Sequence, residues 1–325
     1  MIKKICMAVV LAASLTSCHA QNREAMKQEA TDILGKLYEN VQYCESAVNY
    51  HVGIKVGLCA FELLVNDMPV YRYDGSDGSG TIQMSAPINT NILKSGIQTW
   101  ELRLYPPVAN GRRMETLPEN VKAELKVEAL LFDSDGSMRY LSQPITLLTT
   151  PIIDKDGKSV FADAGKPEAI YRGTFEANVP YELTGWSRSK NLTECDSTQL
   201  KAQLITVYKE FRTLIQNGDL GEIARRILPR ERETAQCLYY DKAKNEHYMN
   251  IFLEGFGQEG QKPYPLEKYK ITYWGNGRMA TLERTDMWFE PALATQYFVE
   301  GKEYTHTFYF YFHLPEGSEE LEVIR

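Results

Sequence analysis

The sequence predicts a mixed α and β fold: an N-terminal antiparallel β-sandwich domain over residues 44–190, then an α+β domain over 196–325 in which helices precede an antiparallel meander. Three observations predict it. Val121, Ala123, Leu125, Val127, Ala129 and Leu131 alternate with polar residues, the period of a half-buried strand. From about residue 196 the apolar period becomes helical. After residue 269 short alternating runs return, split by the turn sequence Gly275-Asn276-Gly277.

Residues 24–43 are predicted as a helix, with Ala30, Ile33, Leu34, Leu37 and Val41 on one stripe, either packed on the body or acting as a spacer. Ile54, Val56, Leu58 and Ala60 alternate, and the run stays apolar to Val65 before Asn66-Asp67 and Pro69 punctuate it. Val70 to Tyr73 ends at a Gly/Ser/Asp loop over 74–80. Strands are expected over 97–105, 121–131, 140–149 and 175–183. Runs this short and frequent, divided by Gly, Pro and Asp, suit a sandwich. Asp196 or Ser197 caps a helix that ends at Asn217-Gly218; a second helix, 220–228, is expected to stop at Pro229, and a third covers 231–256. Thr305 to His313 reads as one final strand. The order of helices and then meander is similar to that of cystatin-like folds, including the NTF2-like cone. The resemblance lies in element order alone and implies no function.

The chain has 325 residues, 43% of them hydrophobic and 24% charged, enough to bury a sizeable core. The net charge of −7 excludes broad nucleic-acid binding, which needs a basic face.

Lys3 and Lys4 precede an apolar stretch from Ile5 to Leu15 that is too short to span a bilayer. Leu15-Thr16-Ser17-Cys18 follows and resembles the lipobox of bacterial lipoproteins. The resemblance implies a signal peptide over 1–17, cleavage before Cys18 and lipid on the Cys18 sulfur, with 18–43 as lipid attachment and amphipathic helix. It also implies an envelope address, expected to be the periplasmic face of the outer membrane. An ordinary signal peptide cut after Ala20 is the alternative. Of the remaining cysteines, Cys44, Cys59, Cys195 and Cys237 either form two disulfides or stay as buried thiols. No pair has CxxC spacing.

No assembled catalytic motif, cofactor motif or metal signature stands in a suitable context. Acidic turns at 74–77, 133–136 and 154–157 lack the spacing of a calcium loop and read as strand connections. Arg225, Arg226, Arg230 and Arg232 stand among Glu222, Glu231 and Glu233, which points to mutual ion pairing. In the final strand Phe308, Phe310 and Phe312 are expected to face the core, and Thr307, Tyr309 and Tyr311 to form the opposite face, packed or ligand-binding. The expected function is therefore a lipid-anchored, noncatalytic binding protein, with a protein partner of immunity type. The alternatives are glycan or small-ligand binding, and an envelope hydrolase drawing on Glu246, His247, Asp286 and Glu290. No cofactor is expected.

Overall fold

The computed structural model describes residues 21–43, 47–76, 80–132 and 137–325. The stretch expected as a signal peptide (1–17), Cys18, Cys44 and the expected turn at 133–136 lie outside them. The fold is of mixed α+β class, with antiparallel strands throughout.

The first part holds β1 (Asn49–Gly57), β2 (Ala60–Val65), β3 (Met68–Tyr73), β4 (Thr81–Pro87) and β5 (Gly96–Tyr105). A short hairpin follows, β6 (Val108–Ala109) with β7 (Arg112–Arg113). Then come β8 (Lys122–Phe132), β9 (Met138–Tyr140), β10 (Ile145–Thr149), the hairpin β11 (Ile152–Lys155) and β12 (Lys158–Phe161), and β13 (Ala169–Ala177). One sheet runs β10-β8-β1-β4, with β9 also on β8; another runs β13-β5-β2-β3. The stretch expected as one strand over 140–149 is split by a bend around Pro144, and both pieces pair with β8.

The alternating side chains of both sheets enter one core. Val52, Ile54 and Leu125 come from one sheet, Phe61, Leu63 and Leu102 from the other, none more than 1% exposed. Gly173 is required where it sits: a Cβ there would lie 2.8 Å from the Trp100 indole on the neighbouring strand. β2 is buried at every position. Its odd-numbered residues face this core, while Leu64 joins a second cluster with Trp186, Trp274, Met279 and Ile324. That double burial explains the unbroken apolar run at 61–65 apart from Glu62.

The helices are α1 (residues 21–34), α2 (Ser197–Asn217), α3 (Leu220–Cys237) and α4 (Lys242–Phe256). α1 packs on the body: Ala30 and Leu34 are fully buried in the cluster that α2 and α3 supply. Asn245 of α4, also fully buried, donates to the Leu34 carbonyl at 3.0 Å and accepts from Tyr38 N at 3.0 Å, so it caps the end of that helix. Asp196, Asp219 and Asp241 cap α2, α3 and α4 by accepting from the backbone N–H three residues on.

Pro229 does not end a helix; α3 continues through it to Cys237. Proline removes a single backbone bond, and the burial of Ala224 and Ile227 before it and Ala235 after it holds both segments against the core. The break comes instead at Tyr239, whose φ of +52° no helix accommodates.

The remaining strands are β14 (Lys262–Pro263), β15 (Tyr269–Trp274), β16 (Met279–Arg284), β17 (Ala294–Val299), β18 (Lys302–Thr307), β19 (Phe312–His313) and β20 (Glu322–Val323). They form two sheets, β15-β16-β19-β20 and β14-β17-β18. The single strand expected over 305–313 is thus divided. Its start pairs with β17, residues 308–311 cross between sheets, and its end pairs with β16 and β20. Phe308, Phe310 and Phe312 nonetheless all point inward, and Phe310 lies 4.4 Å from the Phe211 ring of α2.

Candidate functional site

The two parts of the chain meet along the outer face of β2 and β3. The turn Asn66-Asp67 receives the turn at 275–277: Gly275 N donates to the Asp67 carbonyl at 2.9 Å and Asn276 N to its carboxylate at 2.7 Å. Beside this contact lies a buried charge network. Arg72 Nη1 is 2.5 Å from Glu283 Oε1 and 3.8 Å from Glu62 Oε1, and all three side chains are at most 7% exposed. Arg103 donates to Glu62 Oε2 at 2.9 Å and also reaches Glu101, which holds Arg172 as well. Three guanidinium groups thus face three carboxylates. Burial pushes the Glu62 carboxyl up from its ordinary value, against the pull of Arg103 and Arg72.

Above the network, the loop after β16 closes on itself. Arg284 N donates to the Glu290 carbonyl at 2.9 Å, and the Arg284 guanidinium grips Asp286 at 2.9 and 3.0 Å. The closure thrusts Trp288 and Phe289 between the two parts. Phe289 has a φ of +62°, a conformation that costs a bulky residue about 1 kcal/mol or more. Its ring lies 5.3 Å from the Arg72 guanidinium and 6.4 Å from the Tyr105 ring, contacts that offset the cost. Arg113 lies 3.5 Å over the Trp288 ring and is held there by the carbonyls of Pro106 and Asp74, at 2.7 and 2.9 Å. Trp288 is still 43% exposed.

Two cavities flank this aromatic pair. One, of about 480 Å³, is lined by Tyr73, Asp74, Trp288, Glu290, Tyr309 and Tyr311 among others. The other, of about 390 Å³, is lined by Glu62, Tyr105, Lys270, Trp274 and Glu283 together with Trp288 and Phe289. Of the face expected at the chain's end, Tyr309 and Tyr311 line the first cavity. Thr307 is exposed at the end of β18 and does not. Asp74 and Glu290 have no ion pair among the described residues. Burial, with Asp74 adding to it, holds the Glu290 carboxyl above its usual value. Burial and then Glu290 do the same to the Tyr309 hydroxyl.

The four residues weighed for hydrolysis do not gather. Glu246 and His247 are exposed on α4, Asp286 is held by Arg284, and Glu290 alone lines the cleft. Among the described residues no group of three or more His, Cys, Asp or Glu is placed to hold a metal, and no helix is long and apolar enough to cross a membrane. Three of the four arginines of α3 are ion-paired: Arg225 and Arg226 with Glu222 at 3.1 Å, Arg226 with Glu210 at 2.6 Å, and Arg230 with Glu231; Arg232 makes no ion pair among the described residues.

Cys59, Cys195 and Cys237 are free thiols in the structure, and Cys44 lies outside the described residues. Cys59 and Cys237 are packed in the core between the sheets of the first part, and burial pushes both thiols up to about 12. Neither is expected to react with a thiol reagent in the native protein, and both are expected to react after denaturation; mass spectrometry of the alkylated chain checks this.

Sequence reasoning reached Tyr309, Tyr311 and Glu290 but missed Arg72, Glu62, Glu283 and Trp288. The only local signal was a Trp-Phe pair standing in a polar stretch between two strands. Comparison with protein-family models, with curated proteins and with solved structures finds no match.

Proposed function

We propose that the chain is a noncatalytic binding lipoprotein of the cell envelope, anchored through Cys18 and facing the periplasm, whose cleft between β3 and the 285–290 loop holds a glycan. One observation carries the ligand reading: exposed Trp288, Tyr309 and neighbouring rings stand beside the carboxylates of Asp74 and Glu290, which lack ion pairs, in a cavity of about 480 Å³. Sugar rings stack their C–H faces on aromatic side chains, and carboxylates accept from their hydroxyls. The buried ion network beneath fixes the backbone of both walls, so the site is preorganised. The finer fold reading, a sandwich over 44–190 and a cystatin-like unit over 196–325, belongs to the same proposal.

Trp288→Ala is expected to weaken glycan binding by about tenfold and to lower the thermal midpoint without loss of the fold, since the ring packs on Arg113 and Tyr105 but is 43% exposed. Calorimetric titration against hits from a glycan array checks it; hits whose affinity ignores Trp288 and Tyr309 overturn the reading. Mass spectrometry of protein from the native host tests the anchor: an acylated Cys18 at the amino terminus is expected, and an unacylated intact start overturns it.

A second reading, a protein partner of immunity type, is favoured by one other feature. Phe132, Met138, Tyr140, Ile145, Ile152 and Ile153 are each about half exposed along β8 to β11. A pull-down in which charge substitution along this edge abolishes capture of one partner, with Trp288→Ala silent, would support it over the glycan.

A further inference from the structure

In the cavity of Asp74 and Glu290 the charges do not cancel, and the excess bears on which glycan that end of the cleft takes. Arg72 is neutralised by Glu62 and Glu283, and Asp286 is shared by Arg284 and Lys268, outside the first cavity. Arg113 is committed to the Trp288 face and to two backbone carbonyls. Glu290 and Asp74 remain without ion pairs, so the cavity is left negative even after Arg113 is counted. A ring-bearing cation beside aromatic faces gains from both the carboxylates and the rings.

A second observation concerns the other cavity. Trp274 is 2% exposed and its indole N–H has no acceptor among the described residues. Burying a donor without a partner is costly, and the cavity it lines opens on the opposite side of Trp288 and Phe289. The Tyr311 hydroxyl, lining the first cavity, likewise makes no hydrogen bond to the described residues. The pattern is negative charge at one lobe, unpartnered hydroxyl and N–H groups at the floor, and a shared Trp between lobes.

Resting on the glycan reading above, we infer that the cleft selects an amino sugar with a free ammonium group, in a short oligosaccharide running across Trp288 from the lobe of Asp74 and Glu290 to that of Trp274. An N-acetylated sugar keeps the ring and the hydroxyls but carries no charge, so it satisfies the stacking half of the site only.

The test is calorimetric titration of the full chain with a linear glucosamine trimer and with the same trimer fully N-acetylated. The ammonium form is expected to bind about tenfold tighter at low salt, and the gap is expected to shrink as ionic strength rises and screens the carboxylates. In the double variant Asp74→Asn, Glu290→Gln the preference between the two trimers and its salt dependence are expected to disappear, whatever loss in affinity the two share. Equal or tighter binding of the acetylated trimer by the native chain, or a preference insensitive to salt, overturns the inference. Should the double variant not fold, the salt dependence of the native chain decides alone. Trp288-dependent binding of both trimers without preference removes only the charge selection. Binding of neither, with other glycans still bound through Trp288, also removes only this inference; binding of no glycan at all removes the parent reading too.

Discussion

Replacing Arg72 by Met is expected to lower the free energy of unfolding by about 3–5 kcal/mol, because it leaves the Glu283 carboxylate buried without its ion-pair partner and Glu62 with Arg103 alone. Urea unfolding followed by far-ultraviolet dichroism measures it. The cost lies in the stranded charges more than in the lost attraction, and a second variant separates the two. Adding Glu62→Gln and Glu283→Gln to Arg72→Met removes both charges while Thr272 can still donate to position 283, as it does now at 3.0 Å. That triple variant is expected to recover most of the loss. A triple variant as unstable as the single one would show that the Arg72 side chain acts by packing against Trp274, Phe289 and Tyr309, whose rings lie 5.3–5.9 Å from its guanidinium. Arg72→Lys separates the planar stack from the charge, since an ammonium keeps the latter only.

The second large effect is expected from His313. Its Nδ1 lies 2.7 Å from Ser189 Oγ, and the residue is 6% exposed. Burial, and after it the Arg325 guanidinium, lower its pKa from 6.5 to about 4. Well above 6.5 the ring is neutral both folded and unfolded, and the full stability is present. As pH falls below that value the unfolded chain takes up the proton first, so stability is lost progressively until the folded ring also protonates near 4. The loss attributable to this group is about 3 kcal/mol across the window. Carboxylates titrate in the same range, so the measurement is a comparison. Stability is followed from pH 7 to 4 in the native chain and in His313→Asn, whose amide can still meet Ser189. A curve for the variant as steep as the native one would mean that His313 does not carry the acid sensitivity.

Much of the architecture was legible because it depends on local rules. The alternation from Val121 to Leu131 became β8, Lys122–Phe132, since one face of an antiparallel strand packs and the other meets solvent. Asp196 and Gly218 bound α2 as their chemistry requires, one accepting a backbone N–H and the other adopting a φ of +66°. Pro229 misled because a rule about one lost backbone bond was outweighed by burial on both sides of it. The strand at 305–313 misled for a related reason. Its side-chain alternation is real, but alternation does not say which strands are its neighbours, and here they change at residue 308.

What the amino-acid order determined by itself was the placement of most helices and strands, their caps and turns, and which face of each is greasy. What only the tertiary structure decided was the cleft. Arg72 and Glu283 are 211 residues apart, and Trp288 is held by an arginine from a hairpin of the other part. Periodicity and capping act over a few residues, so the chain advertises them locally. A buried ion pair or a ring seated between two sheets exists only after the chain has brought distant residues together, and nothing in the neighbourhood of either partner encodes the meeting.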